Sequence, residues 1–134
     1  MSAADVPDVP TVLVVDDDEM IRELTQISLE TVAGWRVLTA DGGHAAIEVA
    51  RAEHPDAVLL DMMMPDMDGL TTFEHLRAEA STSDIPVILF TAKGTVGDRQ
   101  PWDDHPLAGV IGKPYDPMTL GSQVATMLGW THLA

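Results

Sequence analysis

The sequence predicts an α/β protein, a parallel five-stranded sheet with helices on both faces. Three observations predict it. Short apolar runs recur at Val12–Val15, Ala57–Leu60 and Pro86–Phe90, uninterrupted, as in strands buried on both faces. Apolar residues at helical spacing lie between these runs. Glycine, proline or aspartate punctuates the junctions.

In chain order, Val12–Val15 is the first strand. A helix follows from about Glu19 to Val32, with Met20, Leu24 and Ile27 at helical spacing and a stop at Gly34. Arg36–Thr39 reads as the second strand, and Asp41-Gly42-Gly43 as the turn into a helix over 43–52 with Ala46, Ile47 and Ala50 inward. Ala57–Leu60 is the third strand. Pro65 and Asp68-Gly69 mark a tight loop, after which Leu70, Phe73 and Leu76 face the core from a helix running to about Glu79. Pro86–Phe90 is the fourth strand and Val110–Gly112 a short fifth. The last helix runs from about Pro117 to Leu128, with Leu120, Val124 and Met127 on its core face. One segment resists: in Thr95–Leu107, Gly97, Pro101 and Pro106 interrupt helical spacing, so a short or irregular helix is expected there.

A chain of 134 residues is one domain, long enough for a proper core. Residues 1–10, MSAADVPDVP, are acidic and proline-containing, unlike a signal peptide. They read as a flexible tail ahead of a domain over 11–134, on a cytoplasmic protein. The absence of cysteine excludes disulfides and thiolate metal sites. No apolar stretch has the length to span a bilayer. The net charge of −15 argues against unaided binding of nucleic acid or of an anionic membrane. Most of that charge is a solvated surface.

The strand tips carry the chemistry. Asp61 follows a buried run, at the carboxyl end of a strand, where open α/β sheets place their ligand sites. Alone, it reads equally well as a turn cap. The run Asp16-Asp17-Asp18-Glu19 tips the balance. A helix N-cap accounts for Asp18 or Glu19, but not for Asp16 and Asp17. If the first and third strands are neighbours, these acids converge on an oxygen-rich pocket suited to Mg²⁺. The fourth and fifth strands end on Thr91 and Lys113. Carboxylates for a metal, with a hydroxyl and an ammonium for phosphoryl oxygens, are what phosphoryl transfer requires, and Asp61 is the candidate nucleophile.

These residues carry a resemblance. VLVVDDDE near the start, LLDMMMPDMDG in the middle, LFTA at Thr91 and GKPYD at Lys113 resemble the receiver domains of two-component response regulators, from Thr11 to about Leu128. The resemblance implies a flavodoxin-like doubly wound sheet of strand order 2-1-3-4-5. It implies that Asp61 accepts a phosphoryl group from a histidine kinase or phosphotransfer protein. It further implies that Asp17 and Asp61 bind Mg²⁺ directly, Asp16 through water, and Met63 through its backbone carbonyl. It also implies that Thr91 bonds the phosphoryl group and moves toward it on activation, that Lys113 pairs with it, and that the Lys113-Pro114 bond is cis.

This reading makes the chain a stand-alone, chemotaxis-regulator-like receiver with no effector domain following. It is a switch for a downstream protein, whose only chemistry is its own phosphorylation and dephosphorylation. Three departures from the family stand out. Val110 replaces the usual aromatic switch residue, Thr95–Leu107 is irregular, and Met63 and Lys93 occupy positions that affect phosphoryl lifetime. A flavin module is disfavoured because acids replace a phosphate-binding loop. A haloacid-dehalogenase-like phosphatase would carry Asp where Met63 stands. A phosphorylation-independent scaffold would not need the intact set.

Other residues look bland. His44, His54, His75, His105 and His132 lack ligand spacing, and Met62–Met64 reads as loop and core filling rather than a copper site. Trp102, expected to be exposed in the irregular segment, is a candidate partner contact.

Overall fold

Alternate residues of the buried strands point to opposite faces, so each strand supplies two cores at once. Val12, Val14, Leu59, Ile88 and Phe90 pack on one side with Leu29, Leu120 and Val124. Leu13, Val15, Val58, Leu60 and Leu89 pack on the other with Ala46, Ala50, Phe73 and Leu76. Such strands need no polar face, which is why their sequences are continuously apolar.

The computed structural model describes residues 8–92 and 100–130. The elements in order are β1 (Thr11–Val15), α1 (Glu19–Ile27), β2 (Arg36–Ala40), α2 (Gly43–Glu53), β3 (Ala57–Asp61), α3 (Gly69–Ala78), β4 (Val87–Ala92), β5 (Gly109–Lys113) and α4 (Leu120–Leu128). The sheet is parallel throughout, in the order β2-β1-β3-β4-β5. The first and third strands are therefore neighbours, with Val15 opposite Leu60.

Several expectations are refined. Beyond Ile27 the α1 helix widens into a π-helical turn over Ser28–Val32, and Gly34 ends it at φ +77°. Met20, Leu24 and Ile27 keep helical spacing but face solvent, at 79%, 46% and 58% exposure. The side of this helix turned to the core carries Thr25, Ser28 and Leu29 instead. Their hydroxyls are satisfied internally, Thr25 by the Ile21 carbonyl and Ser28 by the Pro117 carbonyl. The last helix begins at Leu120, because Pro117–Thr119 form a turn ahead of it. Met127 is only partly covered.

Most of the expected tail lies outside the described residues, as do 93–99, with Lys93, and 131–134, with His132. Among the described residues no helix joins β4 to β5, and 101–104 form turns. Trp102 is half-buried against the α2–α3 side of the sheet rather than exposed, as is Val110 on β5. No described helix is long and apolar enough to cross a membrane.

Candidate functional site

The parallel register brings β1, β3 and β5 to one edge of the sheet at their carboxyl ends. Asp16 follows β1, while Asp61 and Lys113 close β3 and β5. The Lys113 Nζ donates to Asp61 Oδ1 at 2.8 Å and to Asp16 Oδ2 at 2.9 Å. Asp16 and Asp61 are buried, at 3% and 6% exposure. Asp17 joins them: the three carboxylates each offer an oxygen, all within 4.8 Å of one another.

Local hydrogen bonds sort the four acids. Asp18 is the N-cap of α1, accepting from the Met20 and Ile21 amides. Asp16 Oδ1 accepts from the Asp18 amide, and the Arg22 guanidinium donates to the Asp16 carbonyl at 2.9 Å. Arg22 thus braces the tip of β1. Its partner is a backbone carbonyl six residues upstream, so no side-chain spacing in the sequence pointed to it.

Behind Asp61 the chain turns sharply. The Gly69 amide donates to the Met62 carbonyl at 2.7 Å, and a Cβ on Gly69 would lie 2.6 Å from the Asp61 carbonyl oxygen. Glycine is needed there for α3 to start against the strand tip. Within this loop Met64 is buried and the Met63 side chain is exposed.

Burial pushes the Asp61 carboxyl above its usual range; the Lys113 hydrogen bond opposes this, and repulsion from Asp16 adds to it. Burial disfavours the Lys113 charge, but its hydrogen bonds to Asp61 and Asp16 outweigh that and raise its pKa. One ammonium therefore faces three carboxylates. The excess negative charge and all-oxygen donor set fit a hard divalent cation such as Mg²⁺.

Thr91 lies one residue beyond the Phe90 that pairs with Asp61, and it is 7% exposed. Its hydroxyl donates to the Ala92 carbonyl at 3.2 Å rather than to the Asp61 carboxylate. The Lys113-Pro114 peptide is cis, as expected. The next residue, Tyr115, reaches α1: its hydroxyl bonds Thr25 Oγ1. Because the Thr25 hydroxyl already donates to Ile21, Tyr115 is the donor. The GKPYD run contained Tyr115, but nothing in sequence pointed it at a threonine 90 residues away.

The model of the response regulator receiver domain matches residues 12–125. This chain belongs to that family. The receiver is 38% identical over 117 residues to ycf27 of Pyropia yezoensis, covering 87% of this chain and 46% of that protein. It is 35% identical over 119 residues to the DNA-binding dual master transcriptional regulator RpaA of Synechocystis, covering 89% and 49%. The receiver therefore spans about half the length of these relatives. Among solved structures it resembles the chemotaxis protein CheY4 of Vibrio cholerae, with TM-score 0.80, 27% identity, and 89% and 98% of the two chains covered. It also resembles the N-terminal domain of a response regulator receiver protein from Methanoculleus marisnigri, with TM-score 0.71, 35% identity, and 90% and 98% covered.

Proposed function

We propose that this receiver is a phosphorylation-dependent signalling switch that accepts a phosphoryl group on Asp61 from a histidine kinase or phosphotransfer protein. The observation that carries the reading is the convergence of Asp61 with Lys113, beside Asp16 and Asp17, at one sheet edge. An Asp61 carboxylate oxygen forms the new bond to phosphorus. The donor's P–N bond breaks, and its electron pair returns to the imidazole, which takes up a proton.

Asp16, Asp17, Asp61 and the Met63 backbone carbonyl are the residues that would hold Mg²⁺. When bound, the metal supplies neutralisation of charge on the phosphoryl oxygens. Lys113 follows the group it already pairs with, turning from the carboxylate to a phosphoryl oxygen. The Thr91 hydroxyl exchanges its weak bond to Ala92 for another phosphoryl oxygen. That exchange gives the surface around β4 two states, which a protein partner can distinguish. RpaA is DNA-binding, but the strongly acidic character of this chain leaves DNA contact outside the role proposed for it.

Intact mass after incubation with acetyl phosphate tests the reading, with and without Mg²⁺, on the wild type and Asp61→Asn. A gain of one phosphoryl group that needs both Mg²⁺ and Asp61 is the expected result. A gain that survives Asp61→Asn places the acceptor elsewhere. No gain by a folded protein that binds Mg²⁺ favours a phosphorylation-independent scaffold.

A further inference from the structure

The loop between β3 and α3 is anchored at both ends by backbone. Met62 donates its amide to the Phe90 carbonyl at 2.8 Å and accepts from Gly69, while Asp68 caps α3 through the Thr71 amide. Between these anchors, Asp66 reaches out of the loop to a different element. Its carboxylate accepts from the Gly43 amide at 3.1 Å and the His44 amide at 3.0 Å, the first residues of α2. The helix has no cap of its own, since its N-cap residue is Gly42. Asp66 caps it from 22 residues away, and these backbone amides hold the Asp66 carboxyl below its ordinary range.

The fit around this joint is close. A Cβ on Gly42 would lie 2.9 Å from Asp66 Oδ1. A Cβ on Gly43 would lie 2.2 Å from Met67 Cγ and 2.5 Å from Thr72 Oγ1. The glycine pair that reads in sequence as a turn is thus also a docking seat for the β3–α3 loop. The same connection is held from its other side, where the Asp16 amide donates to the Ala40 carbonyl at 3.2 Å. The short link Ala40–Gly43 therefore joins the tip of β1, with Asp16, to the loop that carries Met63.

We infer that Asp66 is a positioning residue for the cation site: by seating the β3–α3 loop on α2, it sets the approach of the Met63 backbone to Asp16 and Asp17. This rests on the proposed metal role of those residues. Asp66 touches neither metal nor phosphoryl group. It acts through the Gly43 and His44 amides, as hydrogen-bond partners behind metal ligands commonly do.

The test compares Asp66→Ala and Asp66→Asn with Thr82→Ala in the full chain. Thr82 is 1% exposed, donates to the Leu76 carbonyl, and precedes β4 at the opposite end of the sheet, so it controls for lost stability. Calorimetric titration with Mg²⁺ alone should show about tenfold weaker binding for Asp66→Ala. Asp66→Asn, which keeps one acceptor oxygen, should recover part of it, and Thr82→Ala should stay within about twofold of wild type. Amide hydrogen exchange without metal should accelerate across 62–68 as well as 43–46 in Asp66→Ala. Exchange confined to 43–46, or Mg²⁺ affinity within about twofold of wild type, overturns the inference and leaves Asp66 as a helix cap. If the wild type binds no Mg²⁺, the metal reading fails by itself. The spread of exchange into 62–68 then decides whether Asp66 positions the loop.

Discussion

Lys113 and Asp61 form a 2.8 Å ion pair at the carboxyl ends of β5 and β3, and the same ammonium reaches Asp16 at 2.9 Å. Removing it would leave two buried carboxylates facing each other without a cation. Lys113→Ala should therefore destabilise the metal-free protein by roughly 1–3 kcal/mol. That is less than for a fully enclosed pair, because the lysine side chain keeps 22% exposure. Urea unfolding with and without saturating Mg²⁺ checks this. The deficit should shrink when the divalent cation takes over the neutralising role, and an unchanged deficit would mean that the lysine acts through packing alone.

Asp61 itself should cost stability. Its pKa is raised above the ordinary 3.8, chiefly by burial, so the folded protein holds a proton there more firmly than the unfolded chain does. The deficit is then fully present above the raised pKa and absent below the unfolded value. Asp61→Asn keeps the shape and removes the charge, leaving Lys113 paired with Asp16. Without Mg²⁺ it should melt higher than wild type at neutral pH, and the two melting temperatures should converge as pH falls through the carboxylate range. A variant that melts lower at neutral pH would show that the Lys113 bond outweighs burial.

The four-acid run divides into a cap and a site. Asp18 caps α1 through two amides, whereas Asp17 lies in the carboxylate cluster. Asp18→Ala should cost about 1 kcal/mol in urea unfolding and leave Mg²⁺ affinity unchanged. Asp17→Ala should abolish measurable Mg²⁺ binding with little loss of stability. Loss of the metal from both variants would merge the two roles.

Sequence exposed the parts of this molecule whose chemistry is uniform along a stretch. Residues 12–15 and 57–60 are apolar without a break because both faces are covered, and the acids after them stand where those strands end. Polar groups satisfied across long separations were not legible. On α1, Met20, Leu24 and Ile27 mimic a core stripe, yet Thr25 and Ser28 take the buried side, where their hydroxyls bond the Tyr115 hydroxyl and the Pro117 carbonyl, 90 and 89 residues away. The π-helical turn at Ser28–Val32 further shifts the phase of the helix. Asp66 reads as an ordinary turn residue, since its partners Gly43 and His44 come from another element.

Tyr115 offers an internal probe, because it is the single tyrosine of the chain. Its ring packs against Phe90 with centroids 5.5 Å apart, and its hydroxyl donates to Thr25, tying the segment after Lys113 to α1. Burial raises its pKa above the ordinary 10.0, so the neutral form is favoured in the fold. The unfolded chain therefore ionises first as pH rises. The stability contributed by the neutral phenol is complete below about pH 10 and is lost as pH climbs through the raised folded value. Tyr115→Phe should cost about 1 kcal/mol at neutral pH, the worth of one hydrogen bond, and should flatten the loss of stability in alkali. Tyrosinate absorbance of the folded wild type, followed against pH, reads the same event directly. A midpoint at or below the free-tyrosine value would show that solvent reaches the phenol and that the link to α1 is not held.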